Sequence, residues 1–240
     1  GHQARVVHLA YHCASTALGV LGIVKSAEGV SMVTWENPAV ALSAPLARLA
    51  ELVIHDDTAA LQPFLSALQA YAAGTCAQLS WRIDTRFMRS AFQREVLTLP
   101  AAIPYGAVMS YQGLAAALGR PKAVRAVAQA LRHNPLPLVI PCHRVVGQSG
   151  HLTGYAGGLE RKSILLTHEG IPLLTRSSGV FINRERMYVG WRTLRAYCRP
   201  HCPSLPGLAP GDRLLMSARA LAAQPEFVPC DVCHPEALSV

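Results

Sequence analysis

Asn134-Pro135-Leu136-Pro137-Leu138-Val139-Ile140-Pro141-Cys142-His143-Arg144-Val145-Val146 is the stretch on which the reading of this 240-residue chain turns. Its first half is a near-continuous apolar run punctuated by proline, which reads as a buried extended segment that delivers a cysteine to its end. A free thiol has a pKa of about 8.5 and needs a neighbouring base or cation to act as a nucleophile near neutral pH. His143 is adjacent, Arg144 follows, and Glu169 lies beyond a later helical pattern, where a carboxylate would orient the imidazole. In such a relay the acid holds the base and the base draws the proton from sulfur. Taken by themselves these residues read more readily as a small buried side chain beside a satisfied histidine, so the flanking sequence has to decide.

Upstream, the pattern is helical from Ser90 to about residue 132. Ser90 and Gln93 have the spacing of a capping box ahead of a helix through Leu99, and Ser110 suits the cap of a helix through Leu118. Gly119 ends that helix, and Pro121 fits the first turn of the next, which runs to about Arg132. Two helices joined by a tight turn make a helix-turn-helix candidate, although ordinary cores use the same pattern. Downstream, Arg161 to His168 is helical and closed by Gly170, and the polar run around Ser177-Ser178-Gly179 reads as a linker over 175–187.

Further out, Val6–Tyr11, Leu18–Val24 and Val30–Trp35 are β-rich runs, with Ser26-Ala27-Glu28-Gly29 as a hairpin turn. Leu46–Ile54 and Thr58–Ala73 carry helical spacing, the second ending at Gly74, and Leu79–Asp84 reads as another strand. A run of about 18 apolar residues, the length of a membrane span, is absent. The chain opens Gly1-His2 with no basic or apolar leader, which sets the cytoplasm as the expected compartment, and a monomer is expected. The formal net charge of +8 favours an anionic partner such as nucleic acid, though a solvated basic surface explains it equally.

Of the seven cysteines, Cys198-x3-Cys202 and Cys230-x2-Cys233 fall as two close pairs. Four thiolates have the number and softness that a closed tetrahedral Zn²⁺ site prefers, and a segment of about fifty residues needs such a staple because its own core is too small.

Several blocks together resemble the methylguanine-DNA methyltransferase family, including the C-terminal half of Ada-type proteins. They are Ile103-Pro104-Tyr105-Gly106, Ser110-Tyr111-Gln112, Arg120 to Val127, Asn134-Pro135, Pro141-Cys142-His143-Arg144-Val145 and Gly154 to Lys162, in the family's order over roughly residues 85 to 170. The resemblance implies that Cys142 accepts an alkyl group from O6 of guanine, with His143 the base acting through a water, Glu169 its orienter and Asn134 bracing the active-site turn. Tyr111 would donate to guanine N3. Tyr155 and the loop Gly154 to Gly158, with Ala156, would wall the pocket, backbone groups near Cys142 and Val145 would hold the base edge, and Lys162 would be among the residues that bind substrate or DNA. Arg125 would fill the space of a flipped nucleotide, with Ala123, Ala126 and Ala128 allowing its helix into the minor groove of double-stranded DNA. Transfer at Cys142 would need no cofactor, and each molecule would react once. Leu97 stands where many relatives carry Trp, and Arg89-Ser90 replaces the usual Gly-Thr.

The implied architecture is an α/β N-terminal subdomain (1–86), an α-helical alkyltransferase domain with the helix-turn-helix (87–174), a linker (175–187) and a small zinc-stapled α+β module (188–240). That last part resembles the Ada-type metal-binding domain through Val189 to Thr193, Tyr197 to Pro203 and Phe227 to Pro235, with Cys198, Cys202, Cys230 and Cys233 as ligands. In that family the first ligand, here Cys198, also demethylates DNA phosphotriesters. Asp231-Val232 and Ser204-Leu205 stand where relatives tend to be basic, and an acid repels phosphate, so a purely structural zinc stays open beside repair at Cys198. An alkylation-responsive regulator lacks a dedicated sequence-reading domain here, and a lesion binder without chemistry would lack Cys142.

Overall fold

The computed structural model describes residues 6–36, 38 and 52–235. It divides into two compact units, one of residues 1–94 with 134–140 and one of residues 95–133 with 141–240.

In the first unit, β1 (Val7–Thr16), β2 (Gly19–Ser26) and β3 (Gly29–Thr34) form an antiparallel meander, and β4 (Leu52–Asp56) adds to β1 in parallel. Leu9 and Val24 are buried in one cluster with Val7, Tyr11, Met32, Leu52, Ile54 and Phe87. Leu21, Ile23, Val30 and Val33 are buried as well, and α1 (Thr58–Ala72), which packs on β1 and β2, buries Leu61, Leu65, Leu68 and Ala72 at helical spacing. Asp57 caps α1 by accepting the Ala60 N–H at 2.9 Å. The hairpin turn lies where the sequence places it. Gly29 there has φ +146, and a Cβ would sit 2.4 Å from Arg82 O, so no other residue fits.

In this unit three expectations need correction. The helix read over Leu46–Ile54 falls largely outside the described residues, and its end, from Leu52, is strand β4, because pairing with Val7 to Tyr11 overrides a weak local preference. Leu79–Asp84 is not a ladder strand. It touches β3 at one bridge, Val30 to Ile83, and then turns, with Asp84 held by Ser26 and Arg86. The 134–140 segment is buried but coiled: Asn134 Nδ2 donates to Ile140 O at 2.8 Å, its Oδ1 accepts the Leu136 N–H, and Leu138 has φ +73. Pro135 and Pro137 have no N–H to give to a ladder, and the asparagine side chain takes the place of strand partners.

Helix α2 (Ala91–Thr98) begins with the expected box: Ser90 Oγ accepts the Gln93 N–H at 3.1 Å and Gln93 Oε1 accepts the Arg89 N–H at 2.6 Å. In the second unit, β5 (Ala107–Ser110) leads into α3 (Tyr111–Ala117), capped by Ser110 and stopped at Gly119 with φ +73. The second helix, α4 (Val124–Arg132), starts later than Pro121, because Arg120 to Ala123 closes a turn through Ala123 N–H to Arg120 O at 2.8 Å.

After β6 (Val145–Val146) and α5 (Leu159–His168), the stretch read as a linker opens with a hairpin, β7 (Leu173–Arg176) and β8 (Gly179–Ile182). Ser177-Ser178-Gly179 is its turn, with Gly179 at φ +128. Strands β9 (Tyr188–Trp191), β10 (Ala196–Cys198), β11 (Arg213–Met216) and β12 (Val228–Pro229), with the short helix α6 (Ala218–Ala222), complete the chain. They do not form a separate sheet: the order is β12-β10-β9-β11-β5-β6, so the cysteine-bearing segment continues the strands that flank Cys142. One apolar cluster accordingly joins Val108, Val146 and Leu166 to Val189, Cys198, Cys202 and Leu215. No helix among the described residues is long and apolar enough to cross a membrane.

Candidate active site and metal centre

Cys142, His143 and Arg144 form a single 3-10 turn between Pro141 and β6, and Glu169 caps the C-terminal end of α5. All four side chains are buried, Cys142 at 5 % exposure and His143 and Glu169 at 0 %. His143 Nε2 lies 2.8 Å from Glu169 Oε1, and the Arg144 guanidinium donates to the same carboxylate from Nε at 2.9 Å and from Nη2 at 2.8 Å. Arg144 Nη1 donates to Ile103 O at 2.7 Å, and the Gly106 N–H points at Glu169 Oε2 at 3.3 Å.

Burial opposes the charged form of Glu169, but the hydrogen bond to His143 and the charge and hydrogen bonds of Arg144 hold its pKa well below the usual carboxylate range. Burial pushes the His143 pKa down and outweighs the pull of Glu169, so the imidazole is neutral at neutral pH. With a neutral imidazole, the positive charge beside Glu169 is that of Arg144. A neutral ring next to a carboxylate carries its proton on Nε2, which leaves the Nδ1 lone pair free to accept. Nδ1 is buried with no hydrogen-bond partner among the described residues. The relay read from sequence therefore has its acid–base contact in place, and Arg144, read there only as a neighbouring cation, proves to be the counter-charge of Glu169. No spacing rule marks that role.

The Tyr111 hydroxyl donates to Thr153 O at 3.1 Å and Gly154 O at 3.0 Å, and burial pushes its pKa up to about 12. Lys162 is fully buried, with Nζ donating to Val145 O at 2.6 Å and Thr153 O at 2.8 Å and lying 5.5 Å from the centre of the Tyr111 ring. Burial, offset by Cys142, lowers its pKa to about 8. Its ammonium thus faces backbone carbonyls inside the protein, where no surface phosphate reaches it. Val145 is buried, Tyr155 half-buried and Ala156 exposed.

On α4, Val127, Ala130 and Leu131 face the core, Arg125 and Ala126 are exposed, and Ala123 and Ala128 are half-exposed. The outward face thus carries the long side chains of Arg125, Gln129 and Arg132, with the short Ala126 beside Arg125. Asn134 belongs to the first unit and ties together the two ends of the segment that leads in sequence to Pro141.

Cys198, Cys202, Cys230 and Cys233 come together with all four Sγ atoms within 4.8 Å of one another. A tetrahedral ion with Zn–S bonds of about 2.3 Å sets its sulfurs about 3.8 Å apart, and Cys202 Sγ and Cys230 Sγ are 3.9 Å apart. The Val232 and Arg199 N–H groups donate to the Cys230 and Cys233 sulfurs, each at 3.4 Å, as suits thiolates on a metal. Burial, and then the neighbouring sulfurs, would push the Cys198 thiol far up without a cation, so the donor set fits Zn²⁺.

The family model described as 6-O-methylguanine DNA methyltransferase, DNA binding domain, matches residues 91–171, and that described as metal binding domain of Ada matches residues 182–236. The methylated-DNA–protein-cysteine methyltransferase of Salmonella typhimurium is 52 % identical over 107 residues, 45 % of this chain and 62 % of the relative. The protein of that name from Mycobacterium bovis is 42 % identical over 113 residues, 47 % of this chain and 67 % of the relative. Among solved structures, the O6-methylguanine methyltransferase of Mycobacterium tuberculosis superposes with a TM-score of 0.57 at 32 % identity, covering 67 % of this chain and 92 % of that one. A second structure from that organism, solved in complex with DNA, gives 0.55 at 30 % identity over 67 % and 93 %. The four-cysteine cluster and the Ada match together identify the C-terminal segment as a Zn²⁺ site.

Proposed function

Since this chain belongs to the methylated-DNA–protein-cysteine methyltransferase family, we propose that it repairs DNA by moving an alkyl group from O6 of guanine irreversibly onto Cys142 Sγ. The observation that carries the reading is the clamped imidazole: Glu169 and Arg144 fix His143 through Nε2 and leave its buried Nδ1 without a partner among the described residues. Nδ1 takes the Cys142 proton through one water molecule, the thiolate attacks the alkyl carbon in line, and the C–O bond breaks with its electron pair leaving on the purine. Tyr111 turns its hydroxyl from Thr153 O and Gly154 O to guanine N3 and protonates or hydrogen-bonds the departing base. Lys162, a neighbour of both Tyr111 and Cys142, supplies a positive potential that favours both anions. The thioether is stable, so each molecule turns over once, and the transfer uses no cofactor.

In-line attack cannot be arranged inside a stacked duplex, so the guanine is flipped out. Helices α3 and α4 act as the helix-turn-helix, with α4 in the minor groove, Ala123, Ala126 and Ala128 allowing close approach and Arg125 filling the vacated stack. Val145, Tyr155 and Ala156 wall the pocket, and Asn134 braces the segment before it. The protein acts as a monomer on double-stranded DNA, with an α/β N-terminal subdomain ahead of the helical domain and a zinc-stapled C-terminal part.

Incubation of the full chain with a duplex containing methylguanine should add the mass of one methyl group, mapped to the Cys142 peptide. No gain, or a gain elsewhere, would sink the reading. In the same experiment a duplex carrying methyl phosphotriesters should leave the Cys198 peptide unmodified, because Cys198 is 0 % exposed and Asp231 lies among the ligands. Arg125→Ala should slow transfer from DNA by about tenfold or more, since flipping costs a few kcal/mol, while reaction with a free benzylated guanine base is unchanged. Equal slowing with both substrates would remove Arg125 from the flipping step.

A further inference from the structure

We propose that the zinc-bearing segment is a working part of the guanine-acting site, holding β5 and β6 in the register that presents Cys142; this rests on the transfer reading above and deepens it. A single row of strand partners leads from a metal ligand to the strand pair beside the nucleophile. Cys198 on β10 sits opposite Val189 on β9, Val189 opposite Leu215 on β11, and Leu215 opposite Val108 on β5. The next residue of β5, Met109, pairs with Val145 of β6, which directly follows the Cys142–Arg144 turn. All four members of the row belong to one buried apolar cluster with Val146, Leu166 and Cys202.

A second contact reaches the relay from its other end. Ser217, the cap of α6, donates its N–H to Gly106 O at 2.9 Å, while the Gly106 N–H points at Glu169 Oε2. A Cβ on Gly106 would lie 2.7 Å from Ser217 Oγ and 3.0 Å from Glu169 O, so the C-terminal segment and the relay carboxylate's own backbone meet there without slack. Likewise a Cβ on Gly113 of α3 would lie 2.7 Å from Pro210 O.

In the sheet order β5 lies between β11 and β6. Without β11 it would be the edge of a two-stranded pair, which is marginal in water. A short segment with little core of its own depends on its metal to stay folded, and a close-packed interior passes the loss on to its neighbours. Zinc at Cys198, Cys202, Cys230 and Cys233 therefore sustains the geometry of Cys142, and Val189, Leu215 and Ser217 are positioning residues for the transfer.

The test compares amide hydrogen exchange in the zinc-loaded full chain and in the same protein stripped by a chelator. The expected result is exchange at least about tenfold faster at residues 106–109 and 145–146, with α1 of the other unit unchanged. Acceleration confined to residues 188–235 would overturn the proposal, and so would uniform acceleration that includes α1. Val189→Ala keeps all four ligands and opens a gap in the row. It should loosen the same amides and slow single-turnover transfer about threefold at unchanged DNA affinity, and protection at Val108, Met109 and Val145 equal to the unmodified protein's would also overturn it. A zinc-loaded wild-type chain that transfers no methyl group would defeat the transfer reading alone, because the exchange data decide the coupling without it.

Discussion

The Cys142→Ala protein is expected to accept no methyl group from a methylguanine duplex while binding that duplex within about twofold of wild type, since affinity comes from phosphate contacts and not from sulfur. The substitution removes the sulfur proposed to form the thioether. It does so at low structural cost: the side chain is small, 5 % exposed and flanked by the proline and 3-10 turn that set the backbone. The neighbouring His143–Glu169–Arg144 cluster makes its contacts without the sulfur. Single-turnover transfer followed by peptide mass, together with a DNA titration at fixed salt, separates the two effects. A variant that still alkylates at another cysteine would show that Cys142 is not the acceptor. One that loses DNA binding in parallel would show that the thiol shapes the interface.

The second large effect concerns Glu169. Replacing it with alanine leaves the Arg144 guanidinium, only 4 % exposed, without its counter-charge, and breaking a buried pair from one side costs about 3–5 kcal/mol. Glu169→Ala should therefore unfold at markedly lower urea. Glu169→Gln also leaves Arg144 without a counter-charge, but it keeps an oxygen for the His143 Nε2–H and a side chain of the same shape, so it should lose less stability than Glu169→Ala and stay folded at ambient temperature. Its imidazole, however, loses the anion that raises its basicity, and transfer should slow by about a hundredfold, the lower range for losing general-base assistance. A Glu169→Gln protein with wild-type transfer would remove the relay from the mechanism.

The same cluster fixes the sign of the pH dependence. The folded-state pKa values of His143 and Glu169 are both lower than in the unfolded chain, so on acidification the unfolded state binds more protons and is favoured. Wild-type stability should decline first as pH falls below about 6.5, through His143, and more steeply below about 4.3, through Glu169. Glu169→Gln should lessen the second, steeper decline, leaving the share of Asp84, whose pKa is also held down in the folded chain. Urea unfolding midpoints measured between neutral pH and the carboxylate range read both.

Much of the site was legible in the sequence because its chemistry is local. Cys142 and His143 are adjacent, Ser90 with Gln93 and Ser110 with Gly113 make caps within one turn, and the cysteine pairs lie three or four residues apart. Short spacings of this kind need no tertiary knowledge, since a cap or a close ligand pair closes within a single turn of backbone. The family blocks extended this to Glu169 and Tyr111, whose partners are distant in the chain.

What the sequence determined by itself was the adjacent Cys142–His143 pair, the order of most helices and the four thiolates that take Zn²⁺. What only the tertiary structure decided was which long-range partners those groups keep. The 134–140 segment reads as extended, yet Asn134 satisfies its backbone and coils it. Leu52–Asp56 became a strand only because β1 offered a parallel edge. Arg144 became the counter-charge of Glu169, the Lys162 ammonium turned inward to Val145 O and Thr153 O, and the supposed linker folded into a hairpin. The cysteine segment joined the sheet of β5 and β6 instead of standing apart. Each of these outcomes depends on burial, which makes an unmatched charge or an unpaired backbone group expensive, and on strand pairing between residues far apart in the chain. Neither is a property of any short window of sequence.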